Sequence, residues 1–297
     1  MDMGQYPSAS SLQENVKSIT ESTWEEIHRL LVLAARQEDI EPGRKIRIDS
    51  TTVETDIHDP RDSSLLFDGI RVITRWLVDG HKLDPKPSYR FSNHTRVAKR
   101  RLINIINAKT SEKRVAAYRD LVSYATKAVD YAIEAISVLN SYKGSNMPDY
   151  FMAKHLAQQL ERAVGLMKKI INQTERRVFM GEKVPASEKI ISLFEDHSDI
   201  IVKGRRDTQY GHKVFLTGGQ SSMILDCQIL RGNPADSDLF IPLLERQKKL
   251  FGKAPRQVSA DGGFASKTNL AQAKELEVKD VVFAKKRGLS VLDMAKS

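Results

Sequence analysis

The stretch Lys45-Ile46-Arg47-Ile48-Asp49-Ser50-Thr51-Thr52-Val53-Glu54 decides the fold, because its β-branched residues predict a strand that carries an acid, Asp49. A second short β-type run, Gln257-Val258-Ser259-Ala260, leads directly into Asp261 and two glycines. In a parallel or mixed α/β sheet, groups at the carboxyl ends of strands face a cleft. The two runs therefore predict that Asp49 and Asp261, although far apart in the chain, lie at one edge of a sheet.

Helical periodicity dominates the segment that follows the first strand. Asp62 or Ser63 can cap a helix that ends at Gly80. Residues 111–142 and 149–181 carry long helical apolar stripes, and the segment between them contains the helix breakers glycine and proline. These two stretches predict an antiparallel helical hairpin, whose stripes are packing seams.

Strand patterns return after about residue 190, so the fold class predicted is α/β, with a mixed-sheet core interrupted by a long helical insertion. Residues 213–216 and 223–230 predict a β-hairpin, which a helix from Asp236 to Gly252 follows. The chain then divides into an N-terminal helical segment, a first strand block, the insertion and the remainder of the core: residues 1–40, 41–60, 61–189 and 190–297.

The composition describes a basic polypeptide of about two domains. Of its 297 residues, 47 are Lys or Arg and 38 are Asp or Glu, and the resulting net charge of +9 favours a polyanionic partner such as nucleic acid. With 29% charged and 40% hydrophobic residues, the chain fits neither a disordered polymer nor a membrane protein. No signal-peptide pattern and a single cysteine predict a cytoplasmic protein without disulfides, and we expect Cys227 to be a buried strand thiol.

The sequence lacks the motifs of several kinds of metal site and catalytic site. The seven histidines show no zinc-ligand spacing, and one cysteine cannot complete such a site. The sequence contains neither a GxxxxGK[ST] loop, nor a GxGxxG motif after a strand, nor a GxSxG elbow. In contrast, two carboxylates on neighbouring strand ends suit Mg²⁺, which takes oxygen ligands from carboxylates and substrate phosphates. The pattern favours an enzyme that cuts phosphate esters.

Five segments carry a resemblance to a known family. Residues 47–58, which contain Asp49, and residues 62–69 resemble the first catalytic block of bacterial insertion-sequence transposases of the DDE class. Tyr210-Gly211-His212-Lys213-Val214, residues 232–237 and residues 260–266, which contain Asp261, are similar to later landmarks of these enzymes in the ISNCY group. The segments occur in the family's order, and the resemblance extends from about residue 20 to the end of the chain.

The resemblance implies a ribonuclease H-like core and a DNA transposase. It implies that Asp49 and Asp261 are the first two catalytic acids and hold Mg²⁺ or Mn²⁺, as two ions about 3.5 to 4 Å apart that stabilise the attacking and leaving oxygens. Cleavage of the element's end would free a 3′-hydroxyl that then attacks target DNA in the same site. Pairing of two ends implies DNA as partner and a homodimer.

The sequence departs from the family at the third acid. Family members carry a glutamate on a helix after the last strand, whereas this sequence ends at Ser297 without that helix, and Asp293 follows the strand too closely. We therefore expect a truncated transposase. Two alternatives stay open: an inactive remnant that binds DNA or dimerises, and a nuclease on the same core that does not transpose.

Two groups of cations are candidate contacts for DNA phosphates, because Lys and Arg beside a catalytic edge can position the duplex. One group precedes the hairpin and the other follows the last predicted strand. A solvated charge run is nearly as good an explanation for each residue taken separately. The candidates are Arg205, Arg206, Lys213, Lys285, Lys286 and Arg287. A further basic cluster, with a plausible role at the DNA backbone, opens the insertion and comprises Arg96, Lys99, Arg100 and Arg101.

Overall fold

The protein is described from a computed structural model that covers residues 6–203 and 207–284 of the chain. The chain forms two compact units. The first unit comprises Met1–Val53 and His212–Ser297, and the second comprises Glu54–Gly211. The predicted helical insertion, residues 61–189, lies within the second unit, together with shorter flanking segments.

The described strands form a six-stranded mixed sheet, which confirms the α/β class. Strand β1 (Lys45–Glu54) is central in the order β2-β3-β1-β5-β6, and β4 pairs with β3. β5 runs parallel to β1 and to β6, whereas β3 is antiparallel to β2 and to β4. The remaining strands are β2 (Asp199–Lys203), β3 (Asp207–Gly219), β4 (Ile224–Leu230), β5 (Gln257–Ala260) and β6 (Asp280–Phe283).

The core of the first unit lies on one face of β1 and β5. Ile46 and Ile48 of β1 are buried beside their register partners Val258 and Ala260. Side chains alternate along a strand, so these four residues share one face of the sheet and contribute to one apolar core. The apolar side chains of α7 (Asp236–Phe251) complete this core with Phe264, and α8 (Lys267–Glu275) follows.

Two helices precede β1, within the predicted N-terminal helical segment, residues 1–40. α1 (Ala9–Ser18) ends before Ile19, and α2 (Glu21–Gln37) begins after Thr20, whose side chain accepts a hydrogen bond from the backbone N–H of Thr23. Such a threonine N-cap satisfies one of the free N–H groups of a new helix. The interruption of the helical segment therefore lies at Ile19 and Thr20.

The second unit is a helical bundle that contains the predicted hairpin. α5 (Ser111–Asn140) and α6 (Met147–Thr174) pack along a seam of buried alanines that includes Ala125, Ala132 and Ala157. α3 (Asp62–Gly80) completes the packing, and a Cβ at Gly69 would lie 1.8 Å from Met167 Sδ, so this approach of α3 and α6 requires glycine. α4 (Thr95–Ile106) was not predicted as a helix, and a π-helical turn, Glu175–Phe179, ends α6.

The helices were compared with the length and hydropathy of a membrane-spanning helix. Within residues 6–203 and 207–284, none combines the length and apolar content that crossing a bilayer requires.

Candidate functional site

Asp49 and Asp261 follow the last register pair of the parallel strands β1 and β5. Ile48 of β1 pairs with Ala260, the last residue of β5, and an aspartate follows each of them. Asp261 lies just beyond the end of β5 as predicted, whereas Asp49 is not at a strand end, because β1 continues to Glu54. Neighbouring strands lie about 4.8 Å apart, so the next step of this register places the two acids side by side. Asp261 keeps an extended backbone, with φ −64° and ψ 157°. The structure therefore brings together the two acids that the sequence places 212 residues apart.

The two acids lie on the face of the strands opposite the core. Because side chains alternate, Asp49 and Arg47 face away from the buried Ile46 and Ile48. The Asp49 side chain is 47% exposed, and that of Arg47 is 74% exposed. Asp261 is also exposed. The edge is thus open to a large polyanionic ligand, which an enclosed pocket would exclude.

Each aspartate is held by the backbone N–H of the residue that follows it. Asp49 Oδ1 accepts a hydrogen bond of 2.9 Å from Ser50 N, and Asp261 Oδ1 accepts one from Gly262 N. These contacts fix the carboxylates and leave oxygen lone pairs free, because an ionised carboxylate has about four acceptor positions. Both acids therefore present oxygen donors of the kind that a hard divalent cation prefers.

One cation already contacts the first of these acids, Asp49. Arg47 Nη2 lies 3.0 Å from Asp49 Oδ2, two residues away on the same face of β1. Both side chains are substantially exposed, and exposed ion pairs contribute only about 0 to 1 kcal/mol. A metal ion or a phosphate could therefore separate Arg47 from Asp49 at little cost in free energy.

Lys213 is buried inside the first unit. Its side chain is 8% exposed, and its Nζ donates a 2.6 Å hydrogen bond to Pro234 O and lies 2.7 Å from Asp236 Oδ1. A phosphate could reach this ammonium only by replacing Asp236, so the structure places Lys213 in an internal ion pair. The predicted contact of Lys213 with DNA stays a prediction.

Asp236, the partner of Lys213, also lies close to the segment that follows Asp261. Asp236 is the first residue of α7, and a Cβ built on Gly263 would lie 2.6 Å from Asp236 Oδ2. A side chain at Gly263 would therefore displace the Asp236 carboxylate from its present position. The N-cap of α7 is Ala235, and Asp236 is the first helical residue. Its ion pair with Lys213 had no local sequence signal, because the two residues are 23 positions apart.

The other predicted DNA contacts, Arg205, Arg206, Lys285, Lys286 and Arg287, lie outside the described residues, as does Asp293. They stay predictions from the sequence.

The two acids of the second motif segment, Asp62 and Asp68, have partners within the second unit. Asp68 accepts hydrogen bonds from His58 Nε2 at 2.8 Å and from Arg71 Nη2 at 3.1 Å. The hydrogen bond to Asp68 raises the pKa of His58, against the opposing effect of partial burial, and Asp59 adds to the rise. Asp62 is buried and accepts hydrogen bonds from Gln173 Nε2 at 3.0 Å and Arg177 Nη1 at 2.8 Å. These contacts assign His58, Asp62 and Asp68 structural roles.

The part of the chain that the structure describes contains no cluster of three or more His, Cys, Asp or Glu side chains arranged to hold a metal. A metal ion held by Asp49 and Asp261 alone would need substrate oxygens and water as its other ligands, as is common for Mg²⁺.

The prediction that Cys227 is buried is wrong, because β4 leaves this side chain exposed. Desolvation by neighbouring groups and the charge of Asp226 raise the pKa of the thiol, which disfavours the nucleophilic thiolate.

Comparison with models of known protein families, with curated proteins and with solved structures finds no match for this chain.

Proposed function

We propose that this chain is a metal-dependent DNA transposase with a ribonuclease H-like core, in which Asp49 and Asp261 hold Mg²⁺ or Mn²⁺. The observation that supports the proposal most strongly is the parallel register, in which Ile48 pairs with Ala260 and each of these residues precedes an aspartate. The sheet around this pair is mixed, as the resemblance of the motif segments implies.

The residues at this edge fit a divalent metal by their donor chemistry. Asp49 and Asp261 offer carboxylate oxygens on the exposed face, and neither carboxylate is engaged in a buried network. When bound, two divalent ions would stabilise the attacking and leaving oxygens of a phosphodiester. Arg47, once released from Asp49, lies where it can donate to a phosphate oxygen, and the N–H groups of Ser50 and Gly262 keep the two carboxylates oriented.

A second candidate function is DNA binding, with or without dimerisation, by a chain that performs no chemistry. The ion pair between Arg47 and Asp49 favours it, because a cation already occupies one oxygen of the first acid. Only the resemblance to the transposase family implies a homodimer and the transfer of a DNA strand into a target.

A plasmid cleavage assay separates the two candidates. The substrate is a supercoiled plasmid carrying the DNA that flanks the coding sequence on both sides, incubated with the full chain in Mg²⁺, in Mn²⁺ and in EDTA. We expect metal-dependent nicking by the wild type and a loss of at least about 100-fold in Asp49→Asn and in Asp261→Asn, since metal ligands contribute several kcal/mol to such reactions. Joining of the freed 3′-hydroxyl to a target plasmid would distinguish transposition from hydrolysis.

Asp280→Asn is the matched control. Asp280 begins β6, and its register partner Gln257 begins β5. Asp280 therefore lies at the amino end of these parallel strands, opposite to Asp261. This variant should nick as the wild type does. Equal nicking by Asp49→Asn, Asp261→Asn and Asp280→Asn would overturn the proposal, whereas DNA binding without any metal-dependent nicking would support the second candidate.

A further inference from the structure

The second unit contains a long segment with cations and no acids. Between Asp84 and Glu112 the sequence has seven Lys or Arg residues and neither Asp nor Glu, which is a strong local bias in a chain of net charge +9. Helix α4 occupies the centre of this segment. The cations are Lys86, Arg90, Arg96, Lys99, Arg100, Arg101 and Lys109.

Three of these cations lie on one exposed face of α4. Arg96, Lys99 and Arg100 have the i, i+3 and i+4 spacing of helical neighbours, and all three are exposed. Among the described residues, none of the three has an ion-pair partner. Their neighbour Arg101 turns to another side and pairs with Asp120 at 3.0 Å. The face therefore carries three like charges whose mutual repulsion no ion pair among the described residues offsets.

The opposite face of α4 anchors the helix in the unit. Ala98 is fully buried and Ile105 is 5% exposed, and both belong to the apolar core of the second unit. The buried face of the helix is therefore already occupied by protein, whereas a helix that lies in a membrane interface needs its apolar face for lipid. This packing favours a nucleic acid over a lipid surface as the partner of the exposed side.

The exposed face also carries groups that can contact base edges. Asn104 follows Arg96 and Arg100 in the same i, i+4 row, and Ile103 follows Lys99 in the adjacent row. Both are exposed. Arginine pairs with guanine, asparagine pairs with adenine, and an apolar side chain contacts the thymine methyl group in the DNA major groove. The face thus combines phosphate-binding and base-reading side chains.

We propose that this α4 basic face, formed by Arg96, Lys99, Arg100, Ile103 and Asn104, is a docking surface for duplex DNA. A helix of 12 residues is about 18 Å long, and the major groove of B-DNA, about 12 Å wide, admits an α-helix. The deep, narrow major groove of duplex RNA does not admit one. The docking surface shares only its partner with the proposed function, because it would hold DNA whether or not Asp49 and Asp261 support cleavage.

The test is DNA binding by the full chain in EDTA, where no metal-dependent cleavage occurs. Fluorescence anisotropy with a labelled duplex of about 25 base pairs, measured over a series of NaCl concentrations, gives the affinity and its salt dependence. Each phosphate contact contributes about −0.9 to the slope of log K against log salt. In the triple variant Arg96→Gln, Lys99→Gln, Arg100→Gln we expect the slope to become less steep by about 2 to 3 and the affinity to fall at least about 10-fold.

A second triple variant, Lys249→Gln, Lys253→Gln, Arg256→Gln, is the control. It removes the same formal charge from exposed positions at and beyond the end of α7. We expect less than about a twofold loss of affinity and an unchanged slope, because these positions lie outside the docking surface. Circular dichroism checks that both variants fold. Should the α4 variant unfold, the single variant Arg100→Gln still tests the inference, with an expected slope change of about one.

Three outcomes would overturn the inference: equal affinities for the two triple variants, preferential binding of duplex RNA or of anionic lipid vesicles, and no DNA binding by the wild type. Failure of the docking surface is distinguishable from failure of the proposed function. If the wild type nicks DNA and the α4 triple variant binds DNA as tightly as the wild type, only the docking surface is excluded.

Discussion

Ile48 and Ala260 are register partners in parallel strands, and an aspartate follows each of them on the exposed side of the sheet. Asp49 and Asp261 are therefore neighbours in the sheet, although their segments are far apart in the sequence. Arg47 lies on the same face of β1, two residues before Asp49, and contacts the Asp49 carboxylate at 3.0 Å.

Removing Arg47 should strengthen metal binding at this edge. In Arg47→Gln we expect an unchanged fold, with a free energy of unfolding within about 0.5 kcal/mol of the wild type, because the ion pair is exposed. The Mn²⁺ affinity should rise a few-fold, since the cation that competes for Asp49 is gone. Calorimetric titration with Mn²⁺ measures this change. A clearly weaker affinity would show that Arg47 supports the carboxylates instead of competing for them.

The buried carboxylate of Glu41 should make the first unit sensitive to acid. Glu41 accepts hydrogen bonds from Gly43 N at 2.9 Å, Ser221 N at 2.8 Å and Ser221 Oγ at 2.6 Å. Burial alone would raise the pKa of Glu41, but the hydrogen bonds from Ser221 and Gly43 outweigh it, and the pKa is lowered. The resulting stability is complete above the unfolded pKa, near 4.5, and is lost as the pH falls through the folded pKa.

Glu41→Gln should therefore lower the free energy of unfolding by about 1 to 3 kcal/mol at pH 7, because a buried amide cannot accept all three bonds. Urea unfolding at several pH values should show this difference shrinking below about pH 4. Glu38→Gln, at an exposed position shortly before Glu41, is the control and should behave as the wild type. A difference that is constant with pH would contradict the assigned role.

His58 should contribute stability of the opposite pH dependence to the second unit. Because the Asp68 carboxylate raises the pKa of His58, its contribution is complete below the unfolded value, near 6.5, and is lost as the pH rises through the folded pKa. In His58→Gln the loss of stability should be larger at pH 5.5 than at pH 8.5, and below about 1 kcal/mol, since the side chain is 52% exposed.

Urea unfolding at the two pH values measures the effect, and the exposed His155→Gln on α6 serves as the control. A larger loss at the higher pH would reverse the sign and exclude the ion pair with Asp68 as its source.

A side chain at Gly263 should lower the stability of the first unit. In Gly263→Ala the added methyl group would meet Asp236 Oδ2 at 2.6 Å and force the carboxylate away from Lys213. We expect a loss of about 1 to 3 kcal/mol in the free energy of unfolding, as for overpacking in a core. Gly218→Ala in β3, where a Cβ would have no neighbour within 4 Å, is the matched control. Thermal unfolding of the two variants makes the comparison, and equal stabilities would show that the segment adjusts freely.

Local patterns predicted the elements that carry strong periodicity, and missed what depends on distant partners. The strand from Lys45 to Glu54 has the predicted bounds, and the helix that begins at Asp62 ends at the predicted residue, Gly80. The predicted cap, Asp62 or Ser63, is wrong, because the N-cap is Arg61 and makes no side-chain cap hydrogen bond. Helix α4 was missed because only Ala98 and Ile105 are fully enclosed, which leaves too few apolar positions for a stripe. The ion pair of Lys213 with Asp236 and the exposure of Cys227 depend on which strands and helices meet, and the sequence around these residues contains no sign of that.

The measurement that tests the central claim most directly is calorimetric titration of Mn²⁺ into the wild type, Asp49→Asn, Asp261→Asn and the double variant. If the two carboxylates hold the metal together, each single substitution should weaken binding at least about 10-fold, and the double variant should lose less than the sum of the two single losses, because residues that share a ligand are not additive. Wild-type affinity in either single variant would contradict a shared metal site at this edge of the sheet.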